Sequence, residues 1–423
     1  MGPSTQTKYK PYERIPGLAM GGWFDAGDFD IQTGSHCEVL LSLVDTWEKF
    51  KPMRDETYVD YPTRYVDIHR PDGKPDILQQ IEHGTLNVVA QVKNIGHPVR
   101  GIVVPNLHQY HHLGDAVDET DNLLYDSTLK PYEVKGNRSG TMDDRWAFTE
   151  RTTFLDYYTV AALAASSRAL KGFDDTLSQQ SLFYAKQLWN EDDSISKTDT
   201  SRFARMFGNA IKINAALQLY ITTNDKQYAD VFRDAIWQSL KSMGVSRYGG
   251  GAIKTALQAI PYMDDDYKNK LRDYVIKYKE MCDDYAKQNP YGVPIAEGGW
   301  GGSGNVVSFA TANYYANKFF PDIIGPEYVY KGLNYIFGCH PYSNILFVSS
   351  VGTKSKKVTY GNNRANFSFI AGGIVPGILL IKPDFLENKE DWPFFWGENE
   401  VTVGGCADYI FLANAADALI NGK

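Results

Sequence analysis

The sequence predicts an all-α protein, a helical toroid built from paired helices and long connecting loops. Three observations carry that prediction. Eleven segments repeat their apolar residues with a period near 3.6, and only two short stretches read as strands. The longest connections are rich in Gly, Asn, Asp and aromatic residues, as structured rim loops are.

In chain order the helical segments fall near 36–50, 75–94, 151–170, 176–190, 202–222, 227–243, 251–260, 263–288, 305–319, 325–338 and 404–421. "LDYYTVAALAASSRAL" and "RDAIWQSLKSMG" show the pattern most plainly. The strand-like stretches are "RGIVVP" and "NILFVSSVG". Two loops, from about residue 95 to 150 and from about 340 to 403, carry Trp146, Tyr360, Trp392 and Trp396. Disordered linkers seldom hold such rings. The irregular helix spacing argues against a solenoid. No linker divides the chain, which reads as one domain over residues 1–423.

Apolar residues make up 43% of the 423, enough for a sizeable core. The 28 Tyr, 21 Phe and 8 Trp exceed what packing needs. Surplus rings line clefts that take flat apolar faces, including sugar rings, unless they only fill an aromatic-rich core. Net charge is −8 with no basic stripe, which excludes nucleic acid as a partner. No run of eighteen apolar residues occurs, so no membrane span is expected. The start, "MGPSTQTKYK", lacks the regions of a signal peptide. Cys37, Cys282, Cys339 and Cys406 form no CxxC, so buried free thiols are expected rather than a zinc site.

Two motifs carry chemistry. In "GGWFDAGDFD" (21–30), Gly27 lets the backbone bend so that Asp25 and Asp28 can converge on one point. Two close carboxylates push one pKa up unless they share a proton or a water, which suits a base poised over water. The plainer alternative is an Asp capping the helix near residue 36. At the far end, "FFWGENEV" places Glu398 and Glu400 in an aromatic loop before the last helix. A carboxyl against Phe395 and Trp396 loses solvation and holds its proton to higher pH, as a general acid must. The plainer alternative there is a first-turn Glu on the helix dipole. One acid and one base carboxylate together are what glycosidic hydrolysis requires.

These residues resemble glycoside hydrolase family 9, the inverting β-glucanases and their relatives. The family hallmark GGWYDAGDH is similar to "GGWFDAGDF", and its late NEV motif matches 399–401. Between them, "YGVPIAEGGWGGSGNVVSFATANYYANKF" resembles the family's WGS segment and following helix. "YVYKGLNYIFGCHPYSNILFVSSVG" and "NNRANFSFIAGGIVPGILL" resemble its YLLGRNP and HHR…PVPGLL stretches. The order is kept over nearly the whole chain.

The resemblance implies an (α/α)6 barrel of twelve helices. Its first helix is lacking in this numbering, since only 20 residues, read as loop, precede Gly21. The expectation is an N-terminally incomplete catalytic domain, with the missing segment or an upstream immunoglobulin-like domain as possible partners. Asp28 matches the catalytic base, Asp25 the carboxylate holding the same water, and Glu400 rather than Glu398 the general acid. Arg364 and Asn363 match the sugar-contacting HHR segment. Trp300 matches an aromatic wall, and Tyr291 opens the same matched segment as a substrate-binding candidate. No cofactor or metal is required; structural calcium occurs in relatives, but no EF-hand-like loop is present. The substrate class implies a secreted, periplasmic or cell-surface location.

The departures matter. Asn362 and Asn363 replace the family's two histidines, and amides cannot carry charge. Gly405 stands where a tyrosine is usual, and His340 replaces an asparagine. The 95–125 loop follows the family only loosely, and its His111 and His112 receive no role. The reading is therefore an inverting hydrolase of β-linked glycans, a β-1,4-glucan or a decorated relative. An exo-acting β-glycosidase on short oligosaccharides and a catalytically silent sugar-binding barrel are the alternatives.

Overall fold

The computed structural model describes residues 7–26, 30–63, 65–104, 121, 123–195, 202–241, 250–295, 300–340, 345–357, 370–378 and 396–422. These fall into two compact units, Met1–Asp225 and Lys226–Lys423.

The first unit holds β1 (Ile31–Gln32), α1 (Thr33–Phe50), β2 (Tyr58–Asp60), β3 (Tyr65–Asp67), α2 (Asp76–Ile95), β4 (Gly101–Val103), β5 (Leu124–Tyr125), β6 (Val134–Lys135), β7 (Arg138–Ser139), β8 (Trp146–Phe148), α3 (Thr153–Leu170), α4 (Asp175–Ile195) and α5 (Arg202–Thr223). The helix α3 is its centre and packs against α1, α2, α4 and α5. Its run of Val160, Ala161, Ala162, Leu163, Ala164 and Ala165 is fully buried. Small side chains on every face let four neighbours approach one helix. Thr152 caps its start, its hydroxyl accepting from Leu155 N at 3.2 Å.

The strands serve the loops. β1, β4 and β8 form one antiparallel sheet, in the order β1-β4-β8, with Ile31 opposite Ile102 and Ile102 opposite Ala147. Ile15, Leu18, Val99, Ile102 and Ala147 make a small apolar cluster over it. Thr7 Oγ1 donates to Ala147 O (2.7 Å) and Trp146 Nε1 to Tyr9 O (2.9 Å). The stretch from residue 7 to 22 is therefore loop, as its sequence reads, but anchored loop. Of the expected strands, "RGIVVP" contains β4, whereas "NILFVSSVG" makes only single bridges, Leu346 to Ser355 and Val348 to Ile374. The other strands span only two or three residues each, too few for a period of two to show.

The second unit holds α6 (Lys226–Lys241), α7 (Gly250–Ala259), α8 (Asp265–Gln288), α9 (Ser303–Phe319), α10 (Glu327–Ile336), the single turn α11 (Trp396–Asn399) and α12 (Val403–Asn421). Here α9 is central, against α7, α10 and α12. The helix α8 shows the opposite pattern. It buries one stripe, Tyr267, Leu271, Val275, Tyr278 and Cys282, and is charged elsewhere. Asp264 caps it, accepting from Tyr267 N at 2.9 Å, a contact of the kind worth about 1 kcal/mol.

The stretch Gly397–Asn421 is, by length and composition, apolar enough to cross a membrane. Its Ala407, Phe411, Leu412, Ala415 and Ala416 are buried, and α12 packs on α9 and α10 as a core helix does. The thiols are not uniformly buried: Cys37 and Cys282 are, Cys406 is partly so, and Cys339 is exposed. Burial pushes the Cys37 and Cys282 thiols up to about 12, which leaves them inert.

Arg168 ties three helices of the first unit. Its guanidinium donates to both Glu48 carboxylate oxygens on α1 (2.7 and 3.3 Å), and to Gln218 Oε1 (2.8 Å) and Thr222 Oγ1 (2.7 Å) on α5. Arg168→Met keeps the bulk but strands Glu48. It is expected to lower unfolding free energy by about 3 kcal/mol, read by urea unfolding; a change within experimental error would show that solvent screens the pair.

Candidate active site

The segment leading to Asp25 is held by backbone contacts at every step. Gly22 N donates to His83 O (3.0 Å), and His83 Nε2 donates to Gly22 O (2.7 Å). Asn87 Nδ2 donates to Met20 O (3.2 Å) and Gly21 O (3.3 Å). Trp23 N donates to His36 Nε2 (2.9 Å), and Trp23 Nε1 to Gln80 Oε1 (2.9 Å). Asp25 N donates to Asp30 O (2.8 Å). Both glycines are required. Gly21 and Gly22 have φ of +54° and +91°. A Cβ would stand 2.2 Å from His83 O at the first and 2.8 Å from His36 Nε2 at the second.

The partners fix both histidine tautomers. Gln32 O can only accept, so His36 Nδ1 carries the proton (3.1 Å), and Nε2 is free to accept from Trp23 N. His83 is protonated on Nε2 toward Gly22 O, and its Nδ1 accepts from Tyr61 OH at 3.3 Å. Burial brings the His36 pKa down to about 4, and burial also lowers that of His83. Both are neutral where the fold is intact. The plainer alternative for the motif, an Asp capping the helix near residue 36, is not taken. The residue at the N-cap of α1 is Gln32, without a side-chain cap bond, and no acid sits in the first turn.

In the second unit Glu400 lines a pocket of about 200 Å³ with Trp300, Gly301, Ser303, Gly304, Pro376, Thr402, Gly405 and Asp408 among its walls. Backbone bonds fix the rim: Gly301 N to Gly397 O (2.7 Å), Ser303 N to Pro376 O (2.9 Å) and Gly377 N to Glu398 O (3.1 Å). The first residues of α9 and α12 both reach the pocket. Thr402 caps α12, accepting from Gly405 N at 3.2 Å. Two helix N-termini, each worth roughly half a positive charge, thus open on the space that Glu400 enters. Glu398, two residues earlier in α11, is 2% exposed and does not line it. Glu400 precedes the cap of α12, so it is not a first-turn helix carboxylate.

The structure thus brings Trp300, 47% exposed, and Glu400 into one pocket. It does not bring Tyr291 there; that ring is half-buried, edge-on to Tyr335 at 6.2 Å. His340 is a core residue, stacked on Phe347 at 4.2 Å, with Nε2 donating to Ile345 O (2.9 Å). Asp28, Asn362, Asn363, Arg364, Tyr360, Trp392, His111 and His112 lie outside the described residues. Sequence reasoning missed Asp408, although it stands one helical turn after Gly405 on α12. It also missed His36 and His83, which carry no motif, because a histidine binding backbone leaves no pattern in sequence.

A family model for glycosyl hydrolase family 9 matches residues 17–403, across both units. No curated protein matches. Among solved structures, a metagenome-derived glycoside hydrolase family 9 endoglucanase is 18% identical, covering 94% of this chain and 71% of its own, with a TM-score of 0.67. A family 9 protein of Bacteroides ovatus is 17% identical (94% and 72% covered, TM-score 0.67). The endoglucanase of the termite Nasutitermes takasagoensis is 18% identical (94% and 88% covered, TM-score 0.65). At such identities the likeness shows the fold, the (α/α)6 barrel that the sequence predicts.

His36 makes stability depend on pH. Its folded pKa of about 4 lies below the unfolded 6.5, so the unfolded chain takes the proton first. The stability is complete above pH 6.5 and is lost as pH falls toward 4. Between those limits wild type is expected to lose about 3 kcal/mol more than His36→Gln, measured by urea unfolding at each pH. Equal losses in the two proteins would mean that the buried imidazole is not neutral.

Proposed function

The chain belongs to glycosyl hydrolase family 9, and from that premise we propose that it hydrolyses β-1,4-linked glucan, or a decorated relative, with inversion at the anomeric carbon. It is a glycoside hydrolase of endoglucanase-like fold. The observation that carries the finer reading is the placement of Glu400 in an open pocket beside an exposed tryptophan, while its neighbour Glu398 is buried.

In this reading Glu400 gives its proton to the glycosidic oxygen as the bond breaks. Asp28 takes a proton from the attacking water on the opposite face of the sugar, and Asp25 holds that water. The backbone clamp on residues 20–25 supports this role, because a base must stay within about 0.5 Å of its working position. Trp300 offers an apolar face to a sugar ring. Arg364 and Asn363 donate to hydroxyls, with amides standing where the family has imidazoles. Three carboxylates and a water complete the chemistry, so the reading calls for no cofactor. A polymeric substrate places the work outside the cytoplasm.

The test follows a soluble β-glucan by proton NMR. Inversion predicts that the α-anomer of the new reducing end appears first and then mutarotates; the β-anomer first would overturn the mechanism. Asp28→Ala and Glu400→Gln are each expected to lower kcat by about 10²–10⁴. A substrate with a strongly acidic leaving group should restore Glu400→Gln far more than Asp28→Ala, since it departs without a proton. Glu398→Gln should be much milder. If instead Glu398→Gln is inactive and Glu400→Gln active, the acid is Glu398.

A further inference from the structure

Outside the two motifs, three carboxylates gather just before β5 and β8. Asp143 and Asp144 are 4% and 2% exposed. Asp143 Oδ2 accepts from Asp121 N, and Asp144 Oδ2 accepts from Tyr125 N at 2.6 Å. Asp121 Oδ1 in turn accepts from Leu123 N (2.7 Å). Two buried side chains thus grip the backbone that enters β5. The other oxygen of Asp143, Oδ1, is buried and has no hydrogen-bond partner among the described residues.

An ionised oxygen sealed without a donor costs far more than a neutral carboxyl does. A cation or a proton would relieve it. The partner oxygens of Asp143 and Asp144 are already bonded to backbone N–H groups. Among the described residues, no three His, Cys, Asp or Glu side chains converge as a metal's ligands do. The charges also favour a proton. Asp121 and Asp144 face Asp143, while Arg14 and Arg145 act on Asp144. Three carboxylates against two guanidiniums leave one negative charge, which one proton cancels. Asp126, just past β5, and Arg138 on β7 pair with each other (3.7 Å). Burial, and then the two neighbouring carboxylates, push the Asp143 carboxyl up to about 6.

We propose that Asp143 binds a proton, and that this proton closes a latch between residues 143–144 and the start of β5, an acid-tightened brace on the chain entering the DAGD motif. The brace reaches that chain at two points. The Tyr125 ring packs on Tyr12 (5.2 Å between centroids), whose φ of +63° is rare for a bulky residue. Tyr12 belongs to the anchored loop that leads to Gly21 and Gly22. Next to Asp144, the Arg145 guanidinium lies 5.5 Å over the Phe24 ring, one residue before Asp25. In the open latch Asp143 is an ordinary carboxyl and loses its proton near 3.8; in the closed latch it keeps it to about 6. The latch is therefore tightest below 3.8, weakens as pH rises, and levels off above about 6. That difference corresponds to roughly 100-fold in the opening equilibrium. His36 acts in the opposite sense over the same window, so global unfolding mixes the two and a local measurement separates them.

The experiment is hydrogen exchange of the full chain from about pH 4 to pH 7, resolved at the amides of Asp121, Leu123 and Tyr125 and normalised to an unfolded reference at each pH. Wild type is expected to lose protection there by roughly 100-fold between about pH 4 and pH 6, and then to level off. Asp143→Asn is neutral at every pH and can still accept from Asp121 N, so it should hold the acid level of protection throughout. Asp144→Asn removes one charge that raises Asp143 and should shrink the change. It also decides the matter if Asp143→Asn does not fold, since an unchanged profile in Asp144→Asn overturns the proposal. A merely structural Asp143 would give a flat profile in wild type, or the same profile in wild type and Asp143→Asn, and either result overturns the proposal. So would calcium chloride restoring protection at neutral pH in wild type but not in Asp143→Asn, because Oδ1 would then be a cation ligand. No activity is read, so the latch stands or falls apart from the hydrolytic reading.

Discussion

The chain leading into the DAGD motif depends on one row of polar side chains on α2. His83, Asn87 and Gln91 recur every four residues, so they share a face of the helix. Asn87 and Gln91 are fully buried, and a buried amide must find partners or cost stability. Gln91 meets Thr33 Oγ1 (2.9 Å), Val99 N (3.0 Å) and Asn87 Oδ1 (2.8 Å). Asn87 and His83 meet the backbone of residues 20–22. One helix face thus positions the chain entering the DAGD bend, the start of α1 and the turn before β4. The two glycines follow from this: the backbone comes so near the helix that no side chain fits between.

The second unit solves a different problem. It must present a carboxylate to an open pocket while keeping the helix behind it buried. α12 does so by composition along its length. Its first turn is Val-Gly-Gly-Cys, small enough for the pocket to form above it, and its later turns bury Phe411, Leu412, Ala415 and Ala416. The bonds from Gly301 N and Gly377 N reach the carbonyls of Gly397 and Glu398, so the turn bearing Glu398 is pinned on two sides just before Glu400. A two-residue step along that turn separates a buried carboxylate from one that meets solvent, and the step is set by backbone hydrogen bonds rather than by either side chain.

Charge is arranged with equal economy. Among the described residues, His36 and His83 beside the first motif are kept neutral by burial, and His340 is used in the core. The N-terminal ends of α9 and α12 open on the one small volume lined by Glu400 and Asp408.

The sequence by itself determined the helices and the two chemical motifs. Apolar periodicity placed α1 through α10 and α12 within a few residues, because a helix that must bury one face writes that face at fixed spacing. DAGD and NEV were legible because each is a contiguous run that resembles a motif of the family. The tertiary structure alone decided what holds and surrounds them. His36 and His83 act on backbone atoms, and any residue's backbone looks alike in sequence. Asp408 and Trp300 are 108 positions apart and meet only because α9 packs on α12. Tyr291, close to Trp300 in sequence, turned to Tyr335 instead. Sequence spacing fixes neighbours along one element, whereas packing chooses neighbours between elements, and a site is made of the second kind.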